Sequence, residues 1–188
     1  MGLTRSQRGF PAAGMTSRRI KLDLATPDDA EAVAELRTEA AAHLTQTYGH
    51  GHWSAGVSER GVLGRMQTGS VYVARRRGRV VATLCLTTRK PWAIDPAYFT
   101  PVPRPLYLVD MAVAPELQGT GIGRKCMGEA ERIARAWPAD AIRLDAYDAP
   151  AGAGGFYARC GYREAGRVVY RGDPLVYYEC VLAPPAPA

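Results

Sequence analysis

Apolar residues recur along the chain with two spacings, one typical of strands and one typical of helices. Residues 106–114 form a near-continuous apolar run, as expected for a strand covered on both faces, and only Asp110 interrupts it. A helical spacing follows Pro115, and Pro138 ends it. The apolar residues of this predicted helix are Ile122, Cys126, Ala130, Ile133, Ala134 and Trp137. The rest of the chain is arranged around this strand and helix.

The segments before this centre predict a strand, two helices and a hairpin. Residues 20–24 alternate between apolar and polar side chains, and Thr26 then caps a helix that has Pro27 at its first position. The buried stripe of this helix is predicted to contain Val33, Leu36, Ala40 and Leu44. The next predicted elements are a helix over residues 54–67 and an antiparallel hairpin of residues 71–74 and 80–87.

Strands and helices also alternate after the central helix. The predicted elements are a strand over residues 141–147, a short helix over 152–160, and closing strands over 162–170 and 175–182. We therefore predict one α/β domain over residues 20–182, since a chain of 188 residues with 47% hydrophobic residues suffices for one core but not for two. Residues 1–19 and 183–188 show no periodicity and are predicted to be disordered.

Glycines are concentrated between the central strand and its helix. Gly119, Gly121 and Gly123 leave the main chain open to a ligand because no Cβ stands in the way. The first N–H groups of a helix lack internal partners and lie at the positive end of its dipole, so they form a site for phosphate oxygens. Arg124 adds mobile positive charge. The glycine spacing differs from the dinucleotide fingerprint and from the Walker loop, which excludes both of those sites.

This loop resembles the Gln/Arg-x-x-Gly-x-Gly/Ala signature of the Gcn5-related N-acetyltransferase (GNAT) superfamily, with Gln118, Gly121 and Gly123 at the signature positions. The alternative is a glycine-rich helix start that binds nothing. The resemblance implies a GNAT-like fold whose central mixed sheet is splayed in the middle and flanked by helices, and it implies acetyl-CoA as co-substrate. The residues to which it assigns acetyl-CoA binding are Met111, Ala112, Val113, Gln118, Gly119, Thr120, Gly121, Ile122, Gly123 and Arg124.

A second stretch, residues 156–162, resembles the family's other signature, in which a tyrosine faces the coenzyme sulfur. Tyr157 takes that position, and the resemblance implies that it donates a proton to the departing thiolate. A role in positioning the coenzyme alone is the alternative. The family usually carries an asparagine seven residues before this tyrosine, where this chain has Pro150. We therefore expect a reshaped loop around residues 148–155.

Two carboxylates are candidates for a general base. Transfer of an acetyl group to an amine calls for a base because amines are protonated near neutral pH. Asp145 is the first candidate, since the resemblance places it where some members carry a glutamate base; a structural carboxylate is the alternative. Asp110 is the second, as the one acid within the central apolar strand. Other members place the base at the position of Tyr107, which is not a carboxylate.

Aromatic residues in two loops are assigned to the acceptor side. Residues 48–53 include a His-x-His pair that could bind a metal with His43 as third ligand, but no carboxylate or cysteine nearby completes such a site, so no metal is predicted. Residues 88–104 form a long proline-rich loop that we predict to be ordered. Exposed histidines and a packed surface loop are the alternatives. The predicted acceptor-binding residues are Tyr48, His52, Trp53, Trp92, Tyr98, Phe99 and Tyr107.

Composition narrows the range of partners. The net charge of +6 is carried mostly by arginine, and a basic surface suits a polyanionic cofactor. Basic residues form no stripe interleaved with aromatic ones, so we do not expect nucleic acid as a partner. The four cysteines lack metal-ligand or disulfide spacing, which predicts a reduced, cytoplasmic protein, and no apolar run approaches membrane-spanning length. The sequence leaves open whether the chain is a monomer or a homodimer.

The resemblance implies an enzyme that transfers an acetyl group from acetyl-CoA to a primary amine by direct attack. The aromatic loops favour a small-molecule acceptor over a long basic protein tail. One alternative is a non-catalytic acyl-CoA-binding sensor or regulatory domain. Another is a toxin-like enzyme that acetylates aminoacyl-tRNA, whose tRNA binding would depend strongly on salt.

Overall fold

One sheet of seven strands forms the centre of the computed structural model, which describes residues 20–182. The predictions of disorder for residues 1–19 and 183–188 lie outside the described residues. The strands are β1 (Asp23–Leu24), β2 (Ser70–Arg76), β3 (Arg79–Thr87), β4 (Pro105–Val113), β5 (Ala141–Tyr147), β6 (Arg163–Tyr170) and β7 (Asp173–Val181). The helices are α1 (Ala30–Tyr48), α2 (Glu59–Met66), α3 (Ile122–Ala136) and α4 (Gly154–Arg159).

The strands follow the order β1-β2-β3-β4-β5-β7-β6 across the sheet. Every neighbouring pair is antiparallel except β4 and β5, which are parallel and joined through α3. A parallel pair needs such a crossover because its strands run in the same direction. This mixed sheet with flanking helices confirms the predicted fold class.

The sheet opens between β4 and β5. Pairing between these strands is confined to Pro105–Tyr107 on β4 and Ala141–Arg143 on β5. β5 remains paired with β7 along its whole length, and β4 remains paired with β3 as far as Val113, so the two halves of the sheet diverge here. We call the space between the two strands beyond Tyr107 and Arg143 the β4–β5 gap. It is the splay that the family resemblance implied.

A bulge in β4 accompanies this opening. Val109 pairs with Cys85 of β3, and Ala112 pairs with Thr83, so two residues of β4 lie opposite one residue of β3. One of those two residues is Asp110, which has a left-handed backbone with φ of +58°. A bulge of this kind bends its strand and increases the local twist.

Helices cover both faces of the sheet. α1 and α2 pack on β2, β3 and β4, and their shared core contains Val33, Leu36, Val62, Val73 and Ala114. α3 and α4 pack on the other face, where the core includes Leu108, Cys126, Met127, Ile142, Leu144 and Tyr157. Loop 88–104 covers the α1 face of the sheet beyond β4. Its Ile94 and Phe99 form a small core with Tyr107 of β4 and Tyr177 of β7.

A buried ion pair orders loop 88–104 against the sheet. Arg143 Nε on β5 donates to Glu179 Oε1 on β7 at 3.1 Å, and both side chains are almost fully buried. Glu179 Oε2 accepts from the Thr100 backbone N–H of the loop at 3.2 Å and from Arg163 Nη2 at 3.0 Å. The Arg143 guanidinium also lies over the Phe99 ring. These contacts confirm that this long loop is ordered.

Two predicted elements are shorter than expected. The predicted helix over residues 54–67 was wrong in its start: α2 begins at Glu59, where Ser58 Oγ caps it by accepting from the Gly61 N–H. The segment before it is held to α1 instead, since the Val57 N–H donates to Thr38 Oγ1. The first strand is confined to Asp23–Leu24 rather than residues 20–24.

Cys85, Cys126, Cys160 and Cys180 are all free. Within residues 20–182, no helix has the length and apolar character that crossing a bilayer requires.

Candidate active site

The glycine loop turns sharply between β4 and α3. The Gln118 side-chain amide donates to the Val113 carbonyl at 3.2 Å, and Thr120 Oγ1 donates to the Leu117 carbonyl at 2.6 Å, so both polar side chains hold the turn. Gly119 and Gly121 have φ of +74° and +85°, a left-handed region that favours glycine. Gly121 stands immediately before the first residue of α3.

The three glycines of the loop serve two different purposes. A Cβ on Gly119 or Gly121 would meet no atom within 4 Å, so the space beside them is open to a ligand. A Cβ on Gly123 would lie 3.1 Å from the Phe156 ring of α4. The expectation that Gly123 clears a ligand's path therefore needs correction, because its missing side chain accommodates Phe156. This packing fixes α4, and with it Tyr157, against the start of α3.

The edge of β4 that faces the gap carries unpaired backbone groups. The Ala114 N–H donates to the Val81 carbonyl of β3 at 2.9 Å. Successive N–H groups of an extended strand point to opposite sides, so those of Val113 and Met111 are directed toward the β4–β5 gap. Ala112 is in register with Thr83 and turns its N–H to β3. Of the three predicted strand residues, Met111 and Val113 thus present amides to the gap.

Tyr157 brings its hydroxyl to the same edge from α4. The ring is buried among Phe156, Tyr162 and Tyr178, with centroids 5.2–6.2 Å apart. Its hydroxyl lies 4.0 Å from the Met111 sulfur. Burial raises the pKa of the Tyr157 hydroxyl above its ordinary value, and the negative charge of Asp145 adds to that rise.

Asp145 lies on β5 where that strand has lost its pairing with β4. It is two residues beyond Arg143, the last β5 residue paired with β4, and it is in register with Tyr177 on β7. Burial raises the pKa of its carboxyl, and a hydrogen bond to its own backbone N–H offsets part of the rise. No ion pair to Asp145 is formed within residues 20–182. A carboxylate in this setting is suited to exchanging a proton.

Asp110, the second candidate base, is surrounded differently. Its Oδ1 accepts from Arg37 Nη2 at 2.8 Å, and its Oδ2 accepts from Arg65 Nε at 2.7 Å. Both carboxylate oxygens are therefore engaged by guanidinium groups from α1 and α2. This geometry disfavours Asp110 as the base and leaves Asp145 as the better placed carboxylate.

Two of the predicted acceptor residues lie near Asp145. Trp53 and His52 pack against Tyr147, which is two residues after Asp145 on β5, with ring centroids 6.0 and 5.9 Å away. His52 Nε2 also lies within hydrogen-bond distance of the Asp173 carboxylate at the start of β7. Burial raises the pKa of the Tyr147 hydroxyl, and Asp173 and Asp145 raise it further. These residues form one wall beside the gap, which we call the aromatic wall: His52, Trp53 and Tyr147.

The other predicted acceptor residues do not join this wall. Phe99 and Tyr107 are buried against Tyr177 in the core under loop 88–104, and Tyr98 packs edge-on against the same ring. Their apolar rings therefore stabilise the loop. Trp92 is 88% exposed and Tyr48 is 49% exposed, and neither forms a ring contact among the described residues. For these five residues the core or surface alternative fits the structure better than acceptor binding.

The loop that carries Pro150 in place of asparagine folds back tightly on β5. The Gly152 N–H donates to the Ala149 carbonyl at 2.7 Å, and a Cβ on Gly152 would lie 1.8 Å from the Tyr147 carbonyl oxygen. Only glycine fits so close to the backbone. The turn thus depends on Gly152, and the amide side chain usual in the family has no counterpart at Pro150.

A model of the acetyltransferase (GNAT) family matches residues 31–162, more than half of the chain. The chain belongs to the GNAT family. The matched region spans the glycine loop, the β4–β5 gap, Asp145 and Tyr157. The GNAT domain is thus an acetyl-CoA-dependent acyltransferase, as the two motifs predicted.

Solved structures share the GNAT fold at low sequence identity. An acetyltransferase of the GNAT family from Listeria monocytogenes 4b F2365 has a TM-score of 0.67 at 20% identity, covering 87% of this chain and 95% of that one. Ribosomal-protein-alanine N-acetyltransferase from Brucella melitensis has a TM-score of 0.65 at 19% identity, with 86% and 99% covered. Salmonella typhimurium yncA, solved with its cofactor acetyl-CoA, has a TM-score of 0.63 at 17% identity, with 90% and 98% covered. A comparison with curated proteins found no match.

The residues of this GNAT domain fit acetyl-CoA at both ends of the site. The open space beside Gly119 and Gly121 adjoins the unpartnered first-turn amides of α3, which suit a pyrophosphate. The unpaired edge at Met111 and Val113 offers amide donors to a thioester arm. Arg124, in the first turn of α3, is exposed and adds positive charge at the phosphate end.

The sequence patterns did not indicate several residues that lie at the site of the GNAT domain. Tyr147 belongs to the aromatic wall, and Asp173 contacts His52 of that wall. Arg37 and Arg65 bind the carboxylate of Asp110. Tyr147 could have been found, because it shares a strand face with Asp145 two residues earlier. The arginines and Asp173 leave no local signal, since their partners are distant in sequence. Within residues 20–182, no group of three His, Cys, Asp or Glu side chains is arranged to hold a metal ion.

Proposed function

We propose that this GNAT domain acetylates a small primary amine by direct attack, with Asp145 as general base and Tyr157 as proton donor. The proposal rests on one relationship above all: the two side chains approach the β4–β5 gap from opposite faces of the sheet, close enough that the charge of Asp145 raises the pKa of Tyr157. Acetyl transfer needs a base beside the attacking amine and a proton donor beside the departing thiolate, so both groups must reach the same gap.

Asp145 takes the proton of the acceptor. An amine of pKa about 10.4 is neutral only about one part in a thousand near pH 7.4, a deficit of about 4 kcal/mol. Burial raises the pKa of Asp145, which brings this carboxyl closer to the value that suits a base at neutral pH. Because no cation within residues 20–182 forms an ion pair with it, the carboxylate is available to an ammonium group.

Tyr157 supports the leaving group. Acetyl-CoA supplies a thioester whose thiolate, with a pKa near 8.5, leaves readily without covalent catalysis. The Tyr157 hydroxyl, at the edge of β4, donates a hydrogen bond to the departing sulfur and supplies its proton. Because the pKa of this hydroxyl is raised, it releases the proton reluctantly, and most of its effect comes from the hydrogen bond. Its contribution to the rate is accordingly that of one hydrogen bond to a charged group, about 1.5–3 kcal/mol.

The aromatic wall supports a small acceptor. His52, Trp53 and Tyr147 form a compact set of rings beside Asp145, and an ammonium group is attracted both to aromatic faces and to a carboxylate. The opposite side of this face is closed by loop 88–104, which Glu179 and Arg143 hold in place. A short amine fits this confined arrangement better than an extended basic tail.

Thiol release from acetyl-CoA across an amine panel tests the proposal. The panel contains aliphatic diamines, arylethylamines, free amino acids, and peptides with N-terminal alanine or internal lysine. We expect kcat/KM for the best small amine to exceed that of every peptide by about tenfold or more. A peptide as the best substrate would overturn the small-acceptor assignment. Tight acetyl-CoA binding without turnover across the panel would favour the sensor, and salt-sensitive acetylation of aminoacyl-tRNA would favour the tRNA enzyme.

A further inference from the structure

The bulge of β4 places Asp110 in a backbone conformation that aspartate adopts only rarely. Asp110 has φ of +58°, a left-handed value that side chains with a Cβ rarely adopt. Bulges whose first residue is left-handed normally place glycine there. Aspartate tolerates the region better than most residues do, yet glycine would adopt it without steric cost. An additional interaction of the Asp110 side chain accounts for its stability in this position.

That interaction joins three elements of the fold. Arg37 reaches Asp110 Oδ1 from α1 at 2.8 Å, and Arg65 reaches Oδ2 from α2 at 2.7 Å. The side chains of Asp110 and Arg37 are only 20% and 22% exposed, so solvent screens this pair less than a surface pair. We call these three residues the Asp110 clamp.

The clamp lies next to the edge that acetyl-CoA is expected to use. Met111 follows Asp110 directly, and Val113 is two residues further on; both direct their amides to the β4–β5 gap. The direction of those amides depends on the backbone angles at the bulge. Helices α1 and α2, which supply the arginines, also flank the segment that carries His52 and Trp53. The clamp therefore connects the acceptor side to the coenzyme side.

We propose that Asp110 is a positioning residue, held by Arg37 and Arg65, that fixes the bulge and thereby aims the Met111 and Val113 amides at the thioester arm of acetyl-CoA. The Asp110 carboxylate is hydrogen-bonded to Arg37 and Arg65 of α1 and α2, so we infer that it acts through the backbone that follows it. The inference rests on the proposed use of the β4 edge by the coenzyme. It does not depend on which amine is the acceptor.

Binding to two probes separates positioning from general stability. Acetyl-CoA carries the thioester arm, whereas 3′-phospho-ADP lacks it and reaches only the glycine loop. Calorimetry on the full chain measures both dissociation constants for wild type, Asp110→Gly and Arg37→Gln/Arg65→Gln. Asp110→Gly keeps a backbone that adopts the left-handed region freely but removes the clamp. We expect about tenfold weaker acetyl-CoA binding in both variants, the effect of losing about one backbone hydrogen bond, with unchanged 3′-phospho-ADP binding.

Asp140→Asn is the matched control. Asp140 accepts from Arg104 Nη2 at 2.9 Å at the paired ends of β4 and β5, so this variant removes an ion pair from the same strands far from the bulge. It should bind both probes like wild type. Combining Asp110→Gly with the two arginine substitutions should weaken acetyl-CoA binding no further than Asp110→Gly alone, because the clamp acts as a unit.

Three results would overturn the proposal. The first is acetyl-CoA binding by Asp110→Gly within twofold of wild type; should that variant not fold, the same result for Arg37→Gln/Arg65→Gln has this meaning. The second is an equal loss for acetyl-CoA and 3′-phospho-ADP, which indicates general disorder of the site. The third is an equal loss in Asp140→Asn. None of these results would bear on Asp145 and Tyr157, so the proposed acetyl transfer is judged separately by thiol release.

Discussion

The charge of Asp145 raises the pKa of the Tyr157 hydroxyl although the two residues belong to opposite faces of the sheet. Tyr157 packs with Leu144 and Ala146 in the core under α3 and α4, while Asp145, between them on β5, points to the other face. An intact sheet would place the backbone of β4 beside both residues. β4 and β5 diverge beyond Tyr107 and Arg143, and across this opening the charge of Asp145 raises the pKa of the Tyr157 hydroxyl. The opening that we propose for the thioester thus also lies between the two groups that we propose to exchange protons.

Replacing Gly121 with glutamate should abolish acetyl-CoA binding. Gly121 has φ of +85° immediately before α3, so any side chain strains the turn, and a carboxylate there repels a pyrophosphate. We expect affinity for acetyl-CoA to fall at least 100-fold in calorimetry, with little change in the far-ultraviolet circular dichroism of the folded protein.

Gly128→Glu is the control for that substitution. Gly128 lies on the same helix, a Cβ there would meet nothing within 4 Å, and the change in net charge is identical. Its affinity for acetyl-CoA should stay within about threefold of wild type. If Gly121→Glu and Gly128→Glu bound acetyl-CoA equally well, the glycine loop would not be part of the binding site.

Tyr157→Phe should lower kcat more than it lowers affinity for acetyl-CoA. A hydrogen bond to a charged group contributes about 1.5–3 kcal/mol, which corresponds to a decrease of about 10- to 100-fold in kcat. The phenylalanine ring retains the contacts with Phe156 and Tyr178, so the coenzyme site keeps its shape. Steady-state kinetics with the best acceptor of the panel measures both quantities.

Tyr162→Phe provides the comparison. The Tyr162 hydroxyl is buried and finds no hydrogen-bond partner among the described residues, so its removal relieves an unsatisfied group without touching the gap. We expect its kcat to equal that of wild type and its thermal midpoint to be unchanged or higher. If Tyr157→Phe behaved in the same way, Tyr157 would be a packing residue.

The structural features around the candidate site that the sequence predicted correctly are those set by short stretches of chain. The turn at Gly119 and Gly121, the start of α3 and the position of Tyr157 on α4 each depend on residues within one turn or one helix. Glycine at a left-handed position and apolar residues at helical spacing are local rules. Local rules of this kind are readable from one sequence.

Pairings between distant residues could not be predicted in this way. Asp110 meets Arg37 and Arg65 across 73 and 45 residues, and nothing near any of the three marks the pairing. Aromatic rings pose the same difficulty. Phe99 and Trp53 look alike in sequence, yet one packs on Tyr177 under a loop while the other borders Tyr147 near the gap. Whether a ring meets the core or a ligand is decided by tertiary packing.

Asp145→Asn should reduce activity most at low pH. Without a base, the reaction depends on the small neutral fraction of the amine, which rises about tenfold per pH unit up to the amine's own pKa. We expect kcat/KM to fall about 100-fold or more near pH 7 and to approach that of wild type near pH 10. The pH profiles of wild type, Asp145→Asn and Asp145→Glu measure this difference. Profiles of wild type and Asp145→Asn that run parallel would assign the base to another group.

The same substitution should stabilise the protein at neutral pH. Burial raises the folded-state pKa of Asp145 above its ordinary value of about 3.9, so the folded state holds this proton more tightly than the unfolded state does. The stabilising contribution of Asp145 is present below that ordinary value and is lost as the pH rises through the folded-state pKa. Asparagine carries no charge, so the free energy of unfolding of Asp145→Asn should exceed that of wild type at pH 7, and the excess should shrink toward pH 4.

Asp140→Asn should show the opposite dependence on pH, which makes it the control for stability. The hydrogen bond from Arg104 lowers the pKa of Asp140, so this carboxylate stabilises the folded state above its ordinary pKa and ceases to do so as the pH falls. Asp140→Asn should therefore be less stable than wild type at pH 7 and equal to it in acid. Urea denaturation of the three proteins between pH 4 and pH 8 measures both trends. Destabilisation by Asp145→Asn across that whole range would mean that the Asp145 carboxylate is satisfied in the folded protein and serves its structure rather than the reaction.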